Sequence, residues 1–78
     1  MDYELWINRA NDKILELKIG YEFVLKDLFE GVDWNSLPRG DKLGFGKYFK
    51  NEVKDGRIPN ISYAGKAQNN SAKYIKTI

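Results

Sequence analysis

Lys47, Lys50 and Lys54 recur at three- and four-residue intervals, and Asn51 directly follows the second of them. On a helix such intervals gather cations toward one side. Lysines there act as point charges on phosphates and give a salt-dependent, sequence-independent attraction. Asn51 carries the donor–acceptor pair that matches an adenine edge bidentately, and Lys47 can reach guanine acceptors. Arg39 precedes this group, and Lys66, Lys73 and Lys76 follow it with no acid after Asp55 to cancel them. Gln68, Asn69, Asn70 and Ser71 offer short neutral donors that fit a narrow groove. The nucleic-acid-binding set expected from these residues is Arg39, Lys47, Lys50, Asn51, Lys54, Lys66 and Lys73. The ordinary alternative for the same residue types is a solvated helix face and a plain turn.

Other chemistry is poorly supplied. The 78 residues include no histidine and no cysteine, so the commonest general base and the commonest metal ligand are both missing. Thiolate metal sites and disulfides are missing with them. Asp27, Glu30 and Asp33 lie close in sequence, but a chain this short has little room for a deep pocket holding paired acids. The expectation is therefore no enzyme, no catalytic residue, no cofactor and no metal.

The charge is divided along the chain. Residues 1–34 hold eight acids against four bases, a net of −4, whereas residues 35–78 hold nine bases against three acids, a net of +6. The overall +2 conceals a polarised molecule. Such a field can hold a polyanion on one side, and nucleic acid is the usual polyanion. No apolar run approaches the roughly 20 residues that span a bilayer. The first residues begin acidic and lack the basic and apolar regions of a signal peptide. A soluble, cytoplasmic protein with no membrane contact is expected.

Elements must position these charges. An apolar share of 42% with eleven aromatic residues supports one packed domain. Asp2 or Tyr3 opens a helix within residues 1–19, running to about Lys18, with Ile7, Ala10, Ile14 and Leu17 in one stripe widened by Trp6 and Leu15. That stripe packs on its own domain, or a part of it serves self-association as a homodimer. Gly20 stops the helix. Residues 21–37 read as a short strand over 21–25, a helical turn over 26–30 that Gly31 ends, and another brief turn over 34–37. Asp27 caps or orients the short helix. Residues 40–54 form the longest helix after the first, with Phe45, Gly46, Phe49 and Val53 on its buried face and Gly44, Lys47, Tyr48 and Asn51 opposite. Gly46 on the buried side implies close approach of another helix. Asp55 and Gly56 end it. Residues 58–78 read as a hairpin with its tip at Gln68 to Ser71.

Helix, strand, two helices and a basic hairpin, in that order, describe an α+β winged helix-turn-helix: a helical core with a C-terminal β-hairpin wing. In DNA-binding versions the last helix enters the major groove and the wing follows the backbone or minor groove. The run Phe23-Val24-Leu25-Lys26-Asp27-Leu28-Phe29-Glu30-Gly31-Val32-Asp33-Trp34, then Leu37-Pro38-Arg39-Gly40-Asp41-Lys42, then Phe45, Gly46, Phe49 and Val53, resembles a group of small bacterial and phage proteins. That group is known as a domain of unknown function, with a pattern like F-x-L-K-D-L-F-x-G-x-x-W…R-x-x-L-G-x-x-F. The resemblance runs from about Tyr21 to Tyr74 and takes in Gly65 and Lys66. It implies a winged-helix outline and a bacterial, phage or mobile-element source, and it brings no binding residues with it. Lys42 stands where arginine is common, so the guanidinium fork is absent there. Phe45 replaces the usual leucine before Gly46.

Two functions compete on this sequence. One is a DNA-binding module, regulatory in role, that takes duplex rather than single-stranded DNA. The other is a protein–protein interaction module that binds or inhibits a host protein, with Tyr48 beside Lys47 and Asn51 as a fitting contact.

Overall fold

The computed structural model describes residues 1–78. Helix α1 (Tyr3–Leu15) leads to strand β1 (Glu22–Val24), a 3-10 turn (Leu25–Leu28) and a short helix α2 (Gly31–Asn35). The long helix α3 (Arg39–Lys54) and the strands β2 (Ile61–Lys66) and β3 (Ala72–Lys76) complete the chain. The three strands form one antiparallel sheet in the order β1-β3-β2, so the last strand lies in the middle. None of the helices is long and apolar enough to cross a membrane.

Local chemistry accounts for the element ends. Asp2 caps α1 by accepting the Leu5 amide at 3.2 Å. The helix stops at Leu15, three residues before the expected Lys18. Glu16 and Leu17 bond back only three residues, to the carbonyls of Lys13 and Ile14. The reason comes from the far end of the chain. Lys76 is 4% exposed, and its ammonium donates to Ile14 O at 2.6 Å and to Leu17 O at 3.3 Å. A cation at a helix C-terminus satisfies carbonyls that have no partner within the helix and complements its dipole. Lys76 is thus not a surface charge of the hairpin. Sequence counting placed it there because the pairing spans 62 residues.

Asp27 accepts the Val24 amide at 3.1 Å, which cuts β1 to three residues and turns the chain into the 3-10 segment. Gly31 opens α2 rather than ending a helix, and α2 comes ahead of the turn expected over 34–37. Tertiary contacts favour that placement. Arg9 of α1 holds Asp33 at 2.7 Å, and Trp34 stacks on Phe29 with ring centres 5.7 Å apart. At its far end α3 closes with Gly56 at φ 78°, Gly56 N–H on Val53 O and Arg57 N–H on Glu52 O, the paired bonds of a glycine C-terminal cap.

The core is an aromatic chain. Trp6 and Tyr3 from α1 and Phe29 pack on Phe45, which leads to Phe49 and then to Tyr74 at 5.2 Å, edge to face. Ala10, Ile14, Phe23, Leu25, Leu28, Val53, Ile58 and Ile61 complete it. Leu15, expected to widen the α1 stripe, is exposed, and Tyr3 takes that role.

Two glycines of α3 exchange the roles expected of them. A Cβ on Gly44 would stand 2.7 Å from Tyr3 Oη, so Gly44, expected on the wet side, lies under the tip of a side chain from α1. A Cβ on Gly46 would meet nothing within 4 Å, so no helix approaches there. The error is angular: Gly46 is about 100° around the helix from Phe45, far enough to leave the core. Lys76→Met should lower stability in urea by about 1–3 kcal/mol, because it keeps the length of the side chain and removes charged hydrogen bonds. An unchanged midpoint would show that the α1 terminus does not depend on Lys76.

Candidate functional site

Helix α3 segregates its charge around its circumference. Arg39, Lys42, Gly46 and Lys50 are spaced three, four and four residues apart and share one flank. The helix's acids, Asp41 and Glu52, fall on the other flank. There Glu52 is engaged by Arg57, whose guanidinium holds the carboxyl below its ordinary range, with Tyr48 adding to the effect. The Tyr48 hydroxyl is raised in turn, first by its bond to Glu52. These groups are occupied with one another on the side away from the cations.

The cationic flank borders a cleft of about 740 Å³ between α3 and the β2–β3 hairpin. Arg39, Lys42, Lys47 and Lys50 enter from α3, Lys26 from the 3-10 turn and Lys66 from β2. None of the sixteen lining residues is acidic. The inner wall is apolar, with Leu25, Trp34 and Tyr74, and the exposed Leu43 stands at the rim. Asn69, Asn70 and Ser71 face α3 from the hairpin tip. That tip is held by Ala67 N–H on Ser71 O, Asn70 N–H on Ala67 O and Ser71 N–H on Asn69 Oδ1, with Asn70 left-handed at φ 67°. A register irregularity between Tyr63 and Lys66, with Gly65 at φ 94°, separates the buried half of the hairpin from this tip. Bulges bend a strand and re-aim its side chains.

Of the seven residues expected from sequence, the structure brings four together in the cleft: Arg39, Lys47, Lys50 and Lys66. Asn51 and Lys54 are exposed on α3 outside it. The Lys50 and Lys54 ammoniums sit 4.8 and 5.0 Å from the ring centre of Tyr63 on β2, where a cation is attracted to the aromatic face. Lys73 is not in the cleft. It alternates with the inward Tyr74 and meets Glu22 at 3.3 Å, so an acid does offset it. Sequence reasoning missed Lys26 and Lys42 as members of the cleft. The i, i+3, i+7, i+11 spacing from Arg39 was a sufficient signal for Lys42. Lys26 had none, because it sits among acids in sequence.

A second groove, of about 360 Å³, shares no residue with the first. Asp12, Glu16, Asp27 and Glu30 outnumber Arg9 and Lys13 there. The charge polarity along the chain thus becomes two separate surfaces. No three carboxylates gather in a way that would hold a metal ion.

Residues 8–76 match the family described as "Domain of unknown function (DUF1413)", and the chain belongs to that family. No curated protein and no solved structure matches it.

Tyr74 lies at the floor of the cleft, 1% exposed, and burial pushes its hydroxyl up to about 12, with Tyr63 nearby adding to the shift. The unfolded chain releases that proton near 10. Since the folded value is the higher one, stability is retained below pH 10 and falls from there to about pH 12. Urea midpoints measured across that range should decline, and Tyr74→Phe should remove part of the decline. Identical pH profiles for the two proteins would show that the hydroxyl is not buried as described.

Proposed function

We propose that this DUF1413 member is a nucleic-acid-binding module, winged-helix in type, that receives duplex DNA on α3 and the hairpin. The observation that carries the proposal is the cleft between those two elements, lined by six cations and no acid. Supporting the winged-helix assignment are the element order, the α2–α3 succession ahead of the hairpin, and the pairing of β1 with β3. Helix α3, about 24 Å long at its sixteen residues, exposes Lys47, Asn51 and Lys54 on the side away from the core. A major groove admits one such helix, and Asn51 on that side can read an adenine edge. The hairpin tip, with short amides and Lys66, suits the flanking backbone. No catalytic role is assigned to any residue. A bacterial, phage or mobile-element source and a cytoplasmic location complete the proposal.

A second reading, capture of a protein partner, draws on the exposed Leu43 and Val32. Leu43 lines the charged cleft and Tyr48 is exposed on the same helix, and aromatic side chains are enriched at protein interfaces. Self-association through α1 would use its exposed Leu5 and Leu15.

Binding to random-sequence duplex across a salt series separates these readings. The DNA proposal expects affinity to fall linearly on logarithmic axes, with a slope of about 0.9 for each phosphate neutralised. Reversing Lys47 and Lys50 to Glu should weaken binding across all sequences and flatten that slope, whereas reversing Lys13 and Lys18 should do little. Lys66→Ala should weaken binding more than Lys73→Ala, because Lys73 already has Glu22. Asn51→Ala should alter preference among sites instead. No binding at low salt would reject the DNA reading and leave the protein partner.

A further inference from the structure

Gly46 is the eighth of sixteen residues in α3, far from either cap. A glycine in a helix interior costs about 1 kcal/mol relative to alanine. Structural reasons for accepting that penalty are absent here. A Cβ at Gly46 would meet nothing within 4 Å, and its φ lies outside the left-handed range that requires glycine. Gly44, two residues earlier, shows what a structural reason looks like, since a Cβ there would press on Tyr3 Oη. The helix could carry a side chain at 46 and be more stable for it.

The open space beside Gly46 is the cationic cleft. Lys42 and Lys50 stand one turn before and after it on the same flank, Lys47 adjoins it, and Lys66 faces it with the tip residues Asn69 and Ser71 among the opposite wall. Glycine is used where a ligand must approach the backbone closely. We infer that Gly46 is the seat of a phosphodiester group of the bound strand, the point where the nucleic-acid backbone comes closest to α3. The inference rests on the proposed function and deepens it by assigning one position of contact. Lysine ammoniums hydrogen-bond phosphate oxygens at about 2.7–2.9 Å. A methyl at 46 would hold the phosphate outward and lengthen the reach of several lysines together, while removing none of their charge.

The test compares wild type, Gly46→Ala and Gly44→Ala by thermal melting and by affinity for one random-sequence duplex at one low salt concentration. Gly46→Ala should melt higher and bind on the order of tenfold more weakly, the loss of one well-placed charged contact. Gly44→Ala should gain less stability than Gly46→Ala and bind as wild type does. Gly46→Ser serves as a second variant with the same expected loss of affinity. A Gly46→Ala protein that melts higher and binds as tightly as wild type would overturn the inference and leave the proposed function standing. Equal weakening by both alanine variants would also overturn it, by tracing the effect to the helix as a whole. A wild type that binds no DNA would remove the proposed function and the seat together.

Discussion

Everything about the proposed surface depends on how α3 is held against the sheet, and that is decided around Tyr74. Its ring meets Phe49 of α3 edge to face at 5.2 Å and lies between Phe23 and Tyr63, its register partners on the two neighbouring strands. Aromatic pairs in such geometry contribute about 0.5–1.5 kcal/mol each beyond the area they bury. One side chain therefore links α3 to all three strands of the sheet. The cleft lies beside this contact, between α3 and the hairpin, with Tyr74 among its lining and the register irregularity between Tyr63 and Lys66 at its edge. Because β3 is both the last strand and the middle one, the sheet is complete only when the tail has docked.

The same tail locks α1. Lys76 follows Tyr74 by two residues, so both side chains point inward, one to the aromatic core and the other to the end of α1. The Gly20 amide on Lys76 O and the Lys76 amide on Tyr21 O extend the pairing of β1 into that corner. Charge thus serves two purposes in a chain rich in lysine. Lys76 is structural, Lys73 is half-neutralised by Glu22, and the cations of the cleft are left without acids among the residues that line it. The arrangement of acids matters as much as that of bases: Asp41 and Glu52 are kept on the flank of α3 where Arg57 can answer one of them.

Periodicity carried the sequence reading a long way. The stripe Phe45, Phe49 and Val53 and the polar tip at Gln68 to Ser71 are local patterns, and both stand where sequence placed them. Arg39, Lys47 and Lys50 share one cleft for the same reason, since helical spacing is local, whereas Lys66 reaches it from β2 through the packing of the hairpin. What sequence missed is set by partners distant in the chain. The early end of α1 answers to Lys76, the early start of α2 to Arg9 and Phe29, and the contact at Gly44 to Tyr3. Lys73 was counted as free because Glu22 lies 51 positions away in sequence yet near it across β1 and β3. Net charge per segment shows which half can meet a polyanion, but not which lysines are already spoken for.

The proposed function divides the surface in two: the face built by α3 and the hairpin is proposed to meet nucleic acid, and the acidic groove of α1 is not. Amide chemical shifts of isotope-labelled protein, followed as short duplex DNA is added, test it most directly. Perturbations are expected to concentrate at Arg39 to Lys50, at Lys66 and at Asn69 to Ser71, leaving Asp12, Lys13 and Glu16 still. Perturbations centred on α1, or none anywhere at low salt, would contradict it.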